Sequence, residues 1–227
     1  MPVVDLAETP LRELNGALHG LAQDTNETLW RVLNPAGRHA LAVGVDAPIT
    51  IEIAGHAGYY CGGMNKQATI VVEGNAGAGV AENMMSGQVH VKGDVSQSAG
   101  ATGNGGLLII EGNASARCGI SMKGIDIVVK GSIGPMSAFM AQAGNLVVLG
   151  DAGEALGDSI YEARLFVRGK VTSLGADCIE KPLTDEDRAV LAELLEKAGV
   201  EPSLDGFRLY GSARRLYHFH VDNVDAY

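Results

Sequence analysis

Ile70-Val71-Val72-Glu73-Gly74, Val89-His90-Val91-Lys92-Gly93, Leu108-Ile109-Ile110-Glu111-Gly112 and Ile127-Val128-Val129-Lys130-Gly131 are four short apolar segments, each closed by a charged residue and a glycine and each 19 residues after the last. The spacing runs outward to Gly55 on one side and to Gly150 and Gly169 on the other. Two residues before these glycines stand Ile53, Val72, Val91, Ile110, Val129, Val148 and Val167; four before stand Ile51, Ile70, Val89, Leu108, Ile127, Leu146 and Leu165. Two after come Ala57, Ala76, Val95, Ala114, Ile133, Ala152 and Val171. Seven after come Gly62, Ala81, Gly100, Gly119, Ala138, Gly157 and Ala176, small in every copy. A unit this short, with one clear strand, cannot bury its apolar side alone and must stack on copies of itself. Side chains alternate along a strand, so the columns two and four before the glycine share a face and form Val/Ile ladders inside a coil. The glycine marks a corner that needs φ > 0 or a close backbone approach. The expectation is an all-β chain: a β-helix of about seven coils, one strand each, over residues 51–182 and roughly 34 Å long at about 4.8 Å per coil.

Two outward columns carry further information. Just before the glycine stand Ala54, Glu73, Lys92, Glu111, Lys130, Leu149 and Arg168, so four successive coils alternate in charge and help to fix register. The other column reads Glu52, Val71, His90, Ile109, Val128, Val147 and Phe166, wholly apolar from Ile109 onward. Such a row needs a cover, supplied by the chain's own ends or by a partner. The ends also have to cap the open edges of the stack. Thr9-Pro10 reads as the N-cap and first residue of a helix carrying Leu11, Leu14, Leu18 and Leu21. Segments 29–33 and 40–44 read as lead-in strands of an irregular first coil. After Pro182, Thr184 caps a second helix to about Lys197, with Asp187 completing a capping box, Leu191, Leu194 and Leu195 as its apolar stripe, and Gly199 at its end. The organisation expected is a helical cap over 1–28, the β-helix over 29–182, and a helix with a partner-docking tail over 183–227. Residues 207–227 hold five of the ten Phe and Tyr residues, with Arg208, Arg214 and Arg215, an interface-like composition.

Composition narrows the function classes. The formal charge of −10 disfavours a phosphate-backbone partner. No signal-like N-terminus and no long apolar run are present, so a reduced, cytoplasmic setting is expected. Cys61, Cys118 and Cys178 are too few and scattered for a disulfide framework or a shared metal. His56 and Cys61 invite a nucleophile–base reading and define an alternative, an enzyme with a surface site around Cys61. Residues 100–106 (Gly-Ala-Thr-Gly-Asn-Gly-Gly) resemble a phosphate loop, but a strand follows where a helix N-terminus is needed. Met84, Met85, Met122, Met136 and Met140 read as corner filler. Glu154, Asp158 and Glu162 show no paired-carboxylate constellation. The period of 19 excludes a hexapeptide-repeat acyltransferase. No catalytic, cofactor-binding or metal residue is expected on this chain.

The segments Val72-Glu73-Gly74-Asn75-Ala76-Gly77-Ala78-Gly79, Val91-Lys92-Gly93, Ile110-Glu111-Gly112-Asn113 and Val129-Lys130-Gly131 resemble the glycine-repeat (GXGXG) domain that closes the large chain of glutamate synthase. The domain also occurs in the C subunit of formylmethanofuran dehydrogenase. Residues 55–61 and 175–181 are most similar to stand-alone versions, nearest the second subunit of N-methylglutamate synthase. The likeness covers roughly residues 30–182. It implies a right-handed β-helix without catalytic residues, bracing an amidotransferase-like chain and a synthase-like chain that carries FMN and an iron–sulfur cluster. The implied chemistry is glutamine amide transfer or the joining of methylamine to glutamate; the formylmethanofuran-type complex is the alternative setting. The sequence fits that division of labour: it opens Met1-Pro2 without an N-terminal cysteine, has no clustered cysteines for iron–sulfur ligation, and lacks the βα alternation of a flavin barrel.

Overall fold

A computed structural model of the chain describes residues 1–201 and 203–214. Among them the strands form one sheet in which β2 (Leu29–Leu33), β3 (Thr50–Ile53), β4 (Thr69–Val72), β5 (Gln88–Val91), β6 (Leu107–Ile110), β7 (Lys123–Val129), β8 (Ala143–Val148) and β9 (Arg164–Val167) lie side by side in chain order, all parallel. From β3 to β9 residues pair with those 19 positions on, as Ile51 with Ile70 and Val147 with Phe166, except at a register shift after Lys123, which pairs with Ala143. The column two after the glycine makes a second parallel ladder, Ala57 to Ala76 and onward to Val171. This is the expected β-helix, and all fourteen residues of the two inner strand columns from Ile51 to Val167 are 0% exposed.

The corner glycine answers to close approach, with one exception. Gly55 has φ 143°, whereas the other six corner glycines lack a positive φ and instead leave no room for a Cβ. At Gly112 and Gly131 a Cβ would run into the side chains of Asp94 and Asn113 and the backbone of the preceding corner. Those side chains belong to a ladder one residue past the glycine. His56 Nδ1 accepts from Asn75 N–H (2.9 Å), Asn75 Oδ1 from Asp94 N–H (3.0 Å), Asp94 Oδ1 from Asn113 N–H (2.7 Å), Asn113 Oδ1 from Ser132 N–H (2.9 Å), Ser132 Oγ from Asp151 N–H (3.0 Å) and Asp151 Oδ1 from Lys170 N–H (2.7 Å). Each coil thus satisfies a backbone donor of the next, and the glycine makes the space in which it does so.

Opposite the sheet the six coils after Gly55 to Gly150 run as a ribbon with left-handed residues five, seven and nine positions after the corner. Tyr60, Gly62 and Met64 have φ 61°, 64° and 53°; Met136, Ala138 and Met140 have 57°, 55° and 53°. Alternating handedness sends successive amides in opposite directions. Tyr60 N–H reaches up to Ala78 O, Gly62 N–H down to Leu41 O, and Met64 N–H up to Glu82 O. The middle residue points into the rod, which is why it is small: Ala81 and Ala138 are 0% exposed, and a Cβ on Gly100 would sit 2.6 Å from Ile127 Cδ1. Residues 40–44 belong to this ribbon and are not a strand, since Ala40, Ala42 and Gly44 have φ 56°, 51° and 66°.

Both ends are closed by the chain itself. β1 (Val3–Asp5) pairs with β2, and α1 (Leu11–His19) lies over the first ribbon. Pro10, not Thr9, is the N-cap of α1, without a side-chain cap. Leu14 and Leu18 are buried, and Leu21 packs on the core beyond the helix end. Asn15 donates to Ala40 O (2.8 Å) and accepts from Ala42 N–H (3.1 Å), while His19 Nε2 lies 2.6 Å from Val43 O. These side chains serve backbone groups that have no earlier coil to bond. At the far end β11 (Arg208–Ser212) inserts antiparallel between β9 and β10 (Cys178–Lys181). Residues 208–212, expected within a docking tail, are therefore a strand of the chain's own sheet; the tail over 215–227 lies outside the described residues.

α2 (Asp185–Lys197) has the expected Thr184–Asp187 capping box, and Gly199 follows it at φ +66°. Leu191, Leu194, Leu195 and Ala198 pack with Phe207 and Leu209 over Ile109, Val128, Val147 and Phe166, all four at 2% exposure or less. The apolar row on the outer sheet face is covered by the chain's own C-terminal region. This outer cluster is separate from the one inside the rod. Among the described residues no helix is long and apolar enough to cross a membrane.

Candidate interaction surfaces

The sequence offered several side chains with chemical potential, and the fold assigns each a place. Cys61 and Cys118 are 0% exposed inside the rod, where burial pushes both thiols up to about 12. A thiol so raised is not a nucleophile at neutral pH. The surface site around Cys61 is thereby corrected: Cys61 faces the interior, while His56 is outside with its Nδ1 in the corner ladder. Cys178 is 5% exposed, and burial raises its thiol to about 11. The three sulfurs sit in separate coils, with Cys61 and Cys118 roughly 14 Å apart along the rod, so they do not fit an iron–sulfur cluster. No group of three His, Cys, Asp or Glu side chains that could hold a metal ion occurs among the described residues.

The glycine-rich loop over 100–106 is ribbon. Every second amide from Gly100 to Asn104 bonds a neighbouring coil, Gly100 N–H to Val80 O (2.8 Å), Thr102 N–H to Ile120 O (2.9 Å) and Asn104 N–H to Met84 O (2.7 Å). Those of Ala101 and Gly103 bond within the coil, so residues 100–104 offer no run of free donors to a phosphate. Asp158 accepts from Ser159 Oγ (2.8 Å) and Ala176 N–H (3.2 Å) and so pins the last coil. The methionines divide: Met84 and Met122 are 0% exposed corner filler, whereas Met85 and Met140 are 46% and 41% exposed.

Of the charge column, one rung closes as an ion pair. Glu111 lies 2.8 Å from Lys130 Nζ and 2.6 Å from His90 Nε2. Burial pushes the Glu111 carboxyl up, but the hydrogen bonds from Lys130 and His90 outweigh it and hold the group below the usual carboxylate range. A second polar chain crosses the sheet edge. Asn145 donates to Asp126 (2.7 Å), Arg164 Nε donates to Asn145 Oδ1 (2.8 Å), and Arg164 stands 3.4 Å from Asp187 at the start of α2. Burial raises the Asp126 carboxyl. That chain ties the helix N-terminus to the rod.

The rod thus has three sides of different character. The outer sheet face is closed by α2 from Ile109 to Phe166, while Glu52, Val71 and His90 over β3 to β5 stay half-buried. The corner side is lined by the hydrogen-bonded ladder and by small residues, among them Gly77, Ser96, Ser115 and Gly134. On the ribbon side large apolar side chains reach solvent in two groups, Tyr59 (59%), Met64 (44%) and Met85 (46%) in the first two coils and Met140 (41%) and Tyr161 (47%) in the fifth and sixth. Neither the ladder nor the left-handed ribbon was anticipated. The ladder's signal was the column His56, Asn75, Asp94, Asn113, Ser132, Asp151, polar in six coils, short in five of them and placed beside a glycine.

No family model matches the chain. Protein GlxC of Rhizobium meliloti (strain 1021) is 64% identical over 228 residues, an alignment spanning 100% of both chains.

Proposed function

Since the chain belongs to the GlxC family, whose curated member it matches from end to end, we propose that it is a non-catalytic structural subunit of a glutamate-synthase-like complex, of the N-methylglutamate synthase type. In this reading it braces an amidotransferase-like chain and a synthase-like chain that carries FMN and an iron–sulfur cluster. The observation that supports it best is how the polar and reactive groups are used. Ladder side chains bond the next coil's amides, ribbon amides bond neighbouring coils, and the thiols are sealed in the core. A rod spending its polarity on its own register is a stiff spacer with repeated faces, suited to fixing the relative position of two other bodies. The test is co-expression with the products of the flanking reading frames. The chain is expected to co-purify with two larger subunits, with flavin absorbance travelling with the partner and none with the chain alone. A monodisperse homo-oligomer that binds flavin or turns over substrate by itself overturns the reading.

A further inference from the structure

Resting on the scaffold reading, we propose that the ribbon side of the rod is the principal docking surface, and that its occupant is a partner protein presenting apolar side chains to the two exposed apolar groups and carboxylates to the basic side chains between and before them. Three observations carry this. The other sides are less open, one buried under α2 from Ile109 to Phe166 and one occupied by the corner ladder. The ribbon side holds Tyr59, Met64, Met85 and Met140 at 41–59% exposure, and methionine and tyrosine adapt well to a partner's contours. Its charge is opposite to that of the whole molecule. Over the ribbon segments between residues 38 and 142, counting Lys123 where the ribbon enters β7, the basic Arg38, Lys66, Arg117 and Lys123 stand against Asp46, which pairs with Lys66 at 2.8 Å, and Glu82, an excess of two positive charges in a chain of net charge −10. Beyond them the last ribbon segment turns acidic with Glu154 and Asp158. A partner surface that is acidic opposite residues 38–142 and basic opposite Glu154 and Asp158 would meet this pattern in one orientation, so charge sets polarity while the apolar side chains supply contact.

Methionine oxidation by dilute hydrogen peroxide, read by mass spectrometry, tests the surface in the full chain and in its complex with the co-expressed neighbouring subunits. Met64, Met85 and Met140 are expected to oxidise freely in the isolated chain and about tenfold more slowly in the complex. Met84 and Met122, 0% exposed, should be slow in both. The pair M64E/M140E, folded by circular dichroism, should weaken assembly at least about tenfold. Unchanged oxidation of the three exposed methionines in an intact complex overturns the docking surface and leaves the scaffold reading standing. Failure of any complex to form removes both. Protection already present in the isolated chain assigns the face to residues 215–227 if the chain is monomeric, or to a second copy if it is dimeric; either result overturns the proposal.

Discussion

The double substitution L191A/L195A should release α2 while leaving the rod folded. Both leucines are 0% exposed and belong, with Leu194 and Ala198, to the outer cluster on Ile109, Val128, Val147 and Phe166. Burying a leucine contributes about 1.5–3 kcal/mol, so three of them give α2 a docking free energy of about 5–9 kcal/mol before the cost of ordering. Truncating a buried leucine to alanine costs about 2–5 kcal/mol, and the pair therefore removes about 4–10 kcal/mol, comparable to everything that holds the helix down. What remains at its N-terminus is the capping box and the long Arg164 contacts at 3.4 and 3.5 Å, worth about 1 kcal/mol together at a partly exposed site. The rod loses none of its interior, because the Val/Ile ladders form a different cluster. Hydrogen exchange followed by mass spectrometry is the assay. Amides of 185–197 should exchange near intrinsic rates while those of β4, β5 and β6 keep their protection, and a hydrophobic dye should bind the uncovered row. If α2 and the central strands lose protection together, the two clusters form one cooperative unit and the separation argued here fails.

Other outcomes follow from single columns. G119A should cost about 1 kcal/mol, since its φ of +69° strains any side chain and a Cβ would lie 3.2 Å from Met122 Sδ, while Ala81 and Ala138 already occupy the equivalent positions; G119V, β-branched at a left-handed site, should cost more than about 3 kcal/mol in urea unfolding. D94A leaves the Asn113 amide without its acceptor at an exposed corner and should lower stability by about 1 kcal/mol, with D94N near neutral; equal losses in the two variants would remove the ladder from the account. Cys61 and Cys118 have folded thiol values of about 12, above the ordinary 9.0, so they favour the folded state fully below pH 9 and lose that contribution as pH rises toward 12. Melting temperature should fall over that range less steeply in C61A/C118A than in the parent, and neither thiol should react with Ellman's reagent in the folded chain at pH 8.

How much of this was readable in advance depended on whether a feature repeats along the chain or joins distant parts of it. The inner columns, the 19-residue register and the need to cover Ile109 to Phe166 are repeated chemistry, and seven copies make the chemistry visible. That α2 is the cover was not readable, though its stripe was, because Leu191 and Ile109 meet only across about four coils of chain. The same limit hid β11: Arg208 and Tyr210 read as anchors for a partner, and they pair with Val167 and Leu165 of the same molecule. The ribbon escaped for another reason. Of its eighteen left-handed positions over six coils only five are glycine, and Tyr60, Arg117 and Met136 carry no mark of their conformation.

Those thirteen left-handed side chains explain why the ribbon side is the one with variable chemistry. A non-glycine residue in this region costs about 1 kcal/mol, and the cost recurs in every coil. It is met by the inter-coil hydrogen bonds, which are made by backbone alone and so tolerate any outward side chain. The inner columns must stay aliphatic and the corner must stay glycine followed by a short acceptor. The ribbon's outward positions are free of both demands, and they hold Tyr60, Ser98, Arg117 and Met136 at one site and Met64, Asn83, Thr102 and Ser121 at another. Tyr60, Asn83 and Thr102 are linked across coils by side-chain hydrogen bonds (3.1 and 2.6 Å), whereas at Met64 the side chain is 44% exposed and its identity has little to do with holding the rod together. Substitutions on that side should therefore separate assembly from stability, and changes such as M64E that leave the melting temperature within a degree or two of the parent are the ones whose effect on partner binding can be read directly.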